Sequence, residues 1–160
     1  MLTEVEKAYI AGIFDGEGHV SIYVQRQKTM RFGYNIKLRV GITNSFLPLL
    51  KWIQSEFGGQ IWKKKNIRRQ CYNLELVSSK AEDFLWVVIP FLRIKKEQAL
   101  LGLELRKTYK TIKYTQGINV KIIEKRMEIK EKIEYLNKGV IGECLENVVE
   151  RKENESTLLS

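Results

Sequence analysis

Glu17 is a carboxylate in an unusual place. It ends an apolar stretch rich in small residues, Ala8 to Phe14, that reads as a helix. It stands between Gly16 and Gly18, and an alternating strand pattern follows at once. The C-terminal end of a helix is the negative pole of its macrodipole, so added negative charge there is unfavourable. A compensating cation is one explanation. The other is that Gly16 and Gly18 are C-capping glycines and that Asp15 and Glu17 only solvate the turn. One chemistry open to such a carboxylate is to hold a hard divalent cation such as Mg²⁺, which can activate a water and stabilise a phosphoryl group where carboxylates and phosphate oxygens hold it. One Glu per chain is too little for a metal site. Two copies of the helix packed together would bring two Glu17 side chains close, with the free carbonyls of each helix end beside them.

The helix is built for such an approach. Ala8, Gly12 and Gly16 recur every four residues and share a face, with Ala11 and Asp15 next to them. Glycine costs a helix roughly 1 kcal/mol against alanine, and close contact with a second backbone is a reason to accept that cost. Thr3 and Glu6 form a capping box, so the helix is expected to begin near residue 4. Other chemistries lack parts. His19 is the only histidine, and Cys71 and Cys144 have no metal spacing and make no disulfide framework. His19 reads as a solvated or strand-end residue.

Beyond the motif, Val20, Ile22 and Val24 alternate with Ser21, Tyr23, Gln25 and Gln27. After a turn, Ile36, Leu38, Val40 and Ile42 alternate with Asn35, Lys37, Arg39 and Gly41. This is an antiparallel pair with one apolar face. The polar face of these two strands offers amide, aromatic and basic groups without a carboxylate, which suits bidentate contacts to base edges. Asn44 or Ser45 is expected to cap the next helix, with Pro48 in its first turn and Gly58-Gly59 at its end. Ile61–Lys65 and the segment around Tyr72, Leu74 and Leu76 read as strands three and four, with Asn73 and Glu75 on the alternate face. The hairpin between them, Lys63-Lys-Lys-Asn-Ile-Arg-Arg69, packs five cations into seven residues. Lys63, Lys65, Arg68 and Arg69 are therefore candidates for phosphate contact. Ser79 with Glu82 suggests another capping box, and Pro90 ends or kinks the helix it opens. A helix from about Lys96 to Lys107 follows, with Ala99, Leu100, Leu101, Leu103 and Leu105 inward. Ile118, Ile122, Ile129, Ile133 and Leu136 then mark the stripe of a last amphipathic helix.

The 160 residues carry a formal net charge of +9. Residues 139–160 hold two cations and five acids, net −3, which leaves +12 on residues 1–138. So basic a body points to a polyanion, most often nucleic acid. The division expected is a domain over 1–138 and an acidic tail over 139–160. No signal peptide and no membrane-length apolar run is read, so an intracellular setting is expected.

Ile10-Ala-Gly-Ile-Phe-Asp-Gly-Glu-Gly18 resembles the LAGLIDADG motif of homing endonucleases, with Ile for Leu, Phe for Ile, Gly for Ala and Glu for the catalytic Asp. The order strand, strand, helix, strand, strand, helices after it is similar to that family, and so is Pro90-Phe-Leu-Arg-Ile-Lys-Lys-Glu-Gln-Ala99. The resemblance covers residues 1 to about 137 and includes one copy of the motif. It implies an α+β, αββαββα fold whose four-stranded antiparallel sheet straddles duplex DNA as a homodimer. It implies a Mg²⁺-dependent (or Mn²⁺-dependent) endonuclease that cuts both strands of a long pseudo-palindromic site and leaves 3′ overhangs. Glu17 would be the metal-binding catalytic acid, with the Gly16 carbonyl as a further ligand. Lys95 would be the basic residue near the scissile phosphate, chosen over Lys96 by alignment. Asn44 would order the water network. No arginine follows Asn44, where a close relative would carry one. Double-stranded DNA would meet Ser21, Tyr23, Gln25, Gln27, Asn35, Lys37, Arg39 and Asn73 with the basic hairpin. Ala8, Ala11, Gly12, Asp15 and Gly16 would form the dimer contact. The alternative is a non-cleaving DNA- or RNA-binding protein, such as an intron maturase or regulator, on the same fold.

Overall fold

A computed structural model describes residues 1–28, 34–65, 70–110 and 120–138. The elements run α1 (Glu4–Glu17), β1 (Gly18–Arg26), β2 (Tyr34–Asn44), α2 (Leu47–Phe57), β3 (Gln60–Lys63), β4 (Tyr72–Val77), α3 (Ser79–Val88), α4 (Lys96–Lys110) and α5 (Val120–Asn137). A single 3₁₀ turn, Ile89–Phe91, follows α3 and carries Pro90, which cannot continue an α-helix. The four strands form one antiparallel sheet in the order β1-β2-β4-β3. The fold is α+β: strands adjacent in the chain, β1 with β2 and β3 with β4, pair antiparallel, and α2 separates the two pairs.

Period-two patterning decides which face of the sheet is buried. Val20, Ile22, Ile36, Leu38, Val40, Ile42, Leu74 and Leu76 all point into the core, where the helices cover them. Phe14 of α1 and Phe57 of α2 both meet the Phe84 ring edge-on at 5.1 Å, joining three helices behind the sheet. The opposite face is polar and uncovered by any described element.

Several local expectations change. Thr3 and Glu6 do form the capping box, but the one expected at Ser79 does not exist. The cap is Ser78, at φ 56° with no side-chain bond, and Glu82 turns instead to Arg106, 2.9 Å away. The N-cap of α2 is Phe46, which has no capping side chain, and the Asn44 Oδ1 accepts the Phe46 N–H instead of one inside the helix. Leu100 is half exposed rather than inward. On α5, Ile129 and Ile133 are buried as expected, and Arg126 is buried beside them. Its guanidinium lies 3.7 Å from the Tyr109 ring centre and donates to the Thr108 hydroxyl at 2.8 Å, so a cation–π contact substitutes for apolar packing. Ile118, Arg68, Arg69 and the segment 139–160 lie outside the described residues.

Candidate active site and nucleic-acid face

α1 passes into β1 without a loop. Gly18 caps the helix at φ −89° and ψ 167°, an extended conformation open to any residue. Glycine is needed there for space: a Cβ would collide with the Phe14 ring. The C-capping explanation therefore holds for the position of Gly18, with space rather than a left-handed backbone as the reason for glycine, and it does not hold for Gly16, which lies inside the helix. Gly16 and Glu17 are both exposed at the end of the helix.

The compensating cation comes from the far end of the sequence. No basic residue lies in the last turn of α1. Instead the Lys95 ammonium donates to the main-chain carbonyl of Asp15, placing positive charge at the negative pole of the helix. The Asp15 carboxylate holds the loop that carries Lys95. It accepts main-chain N–H bonds from Arg93 at 2.8 Å, Ile94 at 3.2 Å and Lys95 at 2.9 Å. Burial pushes the Lys95 pKa below the usual lysine range, and Asp15 opposes that shift.

Asn44 reaches the same corner from the end of β2. Its Oδ1 accepts the Phe46 N–H at 2.7 Å, which obliges Nδ2 to face the other way, where it donates to Glu17 Oε2. Glu17, Asn44 and Lys95 are thus gathered at one helix end. Gly18 pairs with Ile42 across β1 and β2, which brings the ends of α1 and β2 together.

The donors at this corner are hard oxygens: the Glu17 carboxylate and helix-terminal carbonyls. Among the described residues no three His, Cys, Asp or Glu side chains are grouped as a metal site. The set suits a divalent cation such as Mg²⁺ only as a portion of a larger site.

On α1, Ala8, Gly12 and Gly16 are exposed, and a Cβ at Gly12 or Gly16 would meet nothing within 4 Å. Tyr9 and Val5 beside them are 57% and 80% exposed. Ala11 and Asp15 do not belong to this open face, a correction to the expected contact set. Ala11 is fully buried in the chain's own core, and the Asp15 carboxylate is taken up by residues 93–95.

The polar sheet face presents Ser21, Tyr23, Gln25, Asn35, Lys37 and Arg39 in register: Ser21 opposite Arg39, Tyr23 opposite Lys37 and Gln25 opposite Asn35. Asn35 Nδ2 donates to Gln27 Oε1 at 3.2 Å. Lys63 and Lys65 are exposed at the β3 end. Asn73 is a correction: it is 4% exposed, with Oδ1 accepting from the Thr43 hydroxyl at 2.9 Å, and so buttresses the face rather than lining it openly. Two residues read more simply in the sequence, His19 as a solvated or strand-end residue and Glu75 as a member of the alternate face of β4, have specific partners here. The His19 ring lies over Gly41, where any Cβ would strike it. Burial first, then the Lys64, Arg39 and Lys95 cations, lower the His19 pKa. Glu75 places a carboxylate within this face, 3.0 Å from Arg39, where burial raises its pKa against the pull of Arg39. The alternation of β4 had put Glu75 on this side, and only the cross-strand register brings it to Arg39.

Known proteins share this fold. Over 83% of the chain, the fold superposes on 82% of the homing endonuclease I-CvuI, seen with an uncleaved I-CreI target in the presence of magnesium, at TM-score 0.70 and 19% identity. The archaeal intron-encoded homing endonuclease I-Vdi141I, in complex with DNA, matches at TM-score 0.69 and 19% identity, over 83% of this chain and 84% of that one. The homing endonuclease I-TnaI matches at 0.58 and 21%, over 86% and 97%. No curated protein sequence matches. The family model for LAGLIDADG endonucleases matches residues 10–99, from the first residue of the motif through the Lys95 loop. The chain belongs to the LAGLIDADG endonuclease family.

Proposed function

We propose that the protein is a homing endonuclease that cuts both strands of a long, pseudo-palindromic DNA site as a Mg²⁺-dependent homodimer, leaving 3′ overhangs. The observation that carries this reading is the meeting of Glu17, Asn44 and Lys95 at the end of a helix whose outer face has no side chain at Gly12 and Gly16. In a twofold pair packed through that face, two Glu17 carboxylates and the Gly16 carbonyls would approach the axis and could hold a divalent cation, which when bound would supply Lewis acidity toward phosphate and toward a water. Asn44 holds the Glu17 carboxylate in one orientation. Lys95 balances negative charge at the helix end and faces the phosphate that the sheet delivers. The polar sheet face carries the amide and basic groups that base edges and phosphates require.

The test is incubation with a randomised duplex library and Mg²⁺, followed by sequencing of cut ends, for the parent and for Glu17→Gln. The parent is expected to cut a defined site with 3′ overhangs. Glu17→Gln is expected to bind that site and leave it intact. Cleavage by the variant at the parental rate would remove Glu17 from the chemistry. Specific binding with no cleavage by the parent would favour the maturase or regulator reading.

A further inference from the structure

A carboxylate on a surface meant for a polyanion needs an explanation. Glu75 sits on β4, one of the two central strands, on the face opposite Leu74 and Leu76. A negative charge there repels phosphate. Its side chain is 15% exposed, so it is not itself spread on the surface.

What it touches is Arg39. Arg39 Nε lies 3.0 Å from Glu75 Oε2. The N–H is not directed at that oxygen, and Nε is left shielded and without a hydrogen-bond partner. On its other side, the guanidinium carbon lies 4.6 Å from the Tyr23 ring centre. The strand neighbours directly across from Arg39 are Ser21 and Val77, both small enough to leave the fork uncovered. Gly41, opposite Glu75, has no side chain of its own, and the His19 ring lies over it. The guanidinium is therefore flanked by a ring and a carboxylate at the middle of the sheet face, and one-third of the side chain is exposed.

A phosphate contact needs only positive charge near the backbone, which lysine or a mobile arginine supplies, whereas a bidentate base contact needs a fork held in one orientation. Arg39 is on a central strand, restrained from two sides and shadowed by negative charge. That setting suits a neutral partner with two acceptors in a plane. In the major groove this is the O6/N7 edge of guanine, which arginine contacts bidentately.

We infer that Arg39 reads a guanine in each half of the target, and that Glu75, with the Tyr23 ring, is the positioning residue that presents it. This deepens the endonuclease reading and rests on it. It assigns Glu75 a part in target choice, through Arg39, and none in cleavage.

The test compares cut-site profiles of the parent, Arg39→Lys and Glu75→Gln on the randomised duplex library. Lysine keeps the charge and loses the planar fork. The parent is expected to select guanine at one position per half-site. In Arg39→Lys that preference falls by about ten-fold or more, at that position alone. Glu75→Gln weakens the same position, and the salt dependence of binding stays parallel to the parent's. Circular dichroism at the working temperature verifies that both variants are folded, and if Glu75→Gln is not, Arg39→Lys alone decides. A profile unchanged in Arg39→Lys would overturn the inference and leave the endonuclease reading standing. So would a uniform loss of affinity over all sequences. A parent that neither binds nor cuts any duplex sequence specifically would overturn both.

Discussion

The Asp15 carboxylate accepts the main-chain N–H of Lys95, and the Lys95 ammonium donates to the main-chain carbonyl of Asp15. Two residues eighty positions apart thus hold one another through backbone and side chain alike. This reciprocal clamp ties the loop before α4 to the end of α1.

Asp15→Asn tests the clamp. An amide keeps one acceptor oxygen and turns a donor toward N–H groups that need an acceptor. Hydrogen bonds to a charged group contribute roughly 1.5–3 kcal/mol each, and Asp15 makes three such bonds from a buried position. The variant is expected to lose about 3 kcal/mol of stability, read from the shift of its urea midpoint. Its single-turnover cleavage should fall further than the unfolded fraction explains, because Lys95 is no longer held. An unchanged urea midpoint would show that the loop is held by other contacts.

Gly12→Leu separates the fold of one chain from its assembly. A Cβ at Gly12 has open space around it, and leucine is the better helix former by roughly 1 kcal/mol. The isolated chain should be at least as stable to heat as the parent. A pair packed through this face should be driven apart, and sedimentation should report a monomer with cleavage lost. A variant that sediments as a dimer and still cuts would place the subunit contact on another surface.

His19 gives a pH dependence of known sign. Burial and nearby cations lower its pKa in the folded chain from the ordinary 6.5. The unfolded chain therefore binds the proton more readily, and stability rises with pH over that window. The contribution is fully present above about 6.5 and is lost as pH falls through the lowered folded value. Without metal, the thermal midpoint of the parent should drop more between pH 7.5 and pH 5 than that of His19→Gln. Equal drops would mean that the ring is free to take up a proton where it lies.

Much of this arrangement was legible in the residues. Period-two alternation marked β1 and β2 and the face each buries, and Thr3 with Glu6 marked where α1 begins, because both signals are local. The resemblance, not the spacing, singled out Lys95. The partners of Asp15 were not legible, since they are main-chain N–H groups and carry no mark in a sequence. Asn44 or Ser45 was expected to cap α2, yet the cap is Phe46, and the Asn44 amide bridges the Phe46 N–H and Glu17. A short polar side chain between two elements can serve both, and only their relative placement reveals it. Arg126 breaks an apolar stripe without breaking the helix, because the Tyr109 ring gives its charge a partner that no hydrophobic pattern reports.

The direct passage from α1 into β1 leaves no slack between Glu17 and the first groups of the sheet face. One residue inserted at that joint would turn Ser21 and Tyr23 toward the interior and bring Val20 and Ile22 outward. Under the proposed function, a change of target comes from exchanging side chains along the strand and not from lengthening or shortening the joint, and the cut keeps a constant offset from the bases that the strand would read.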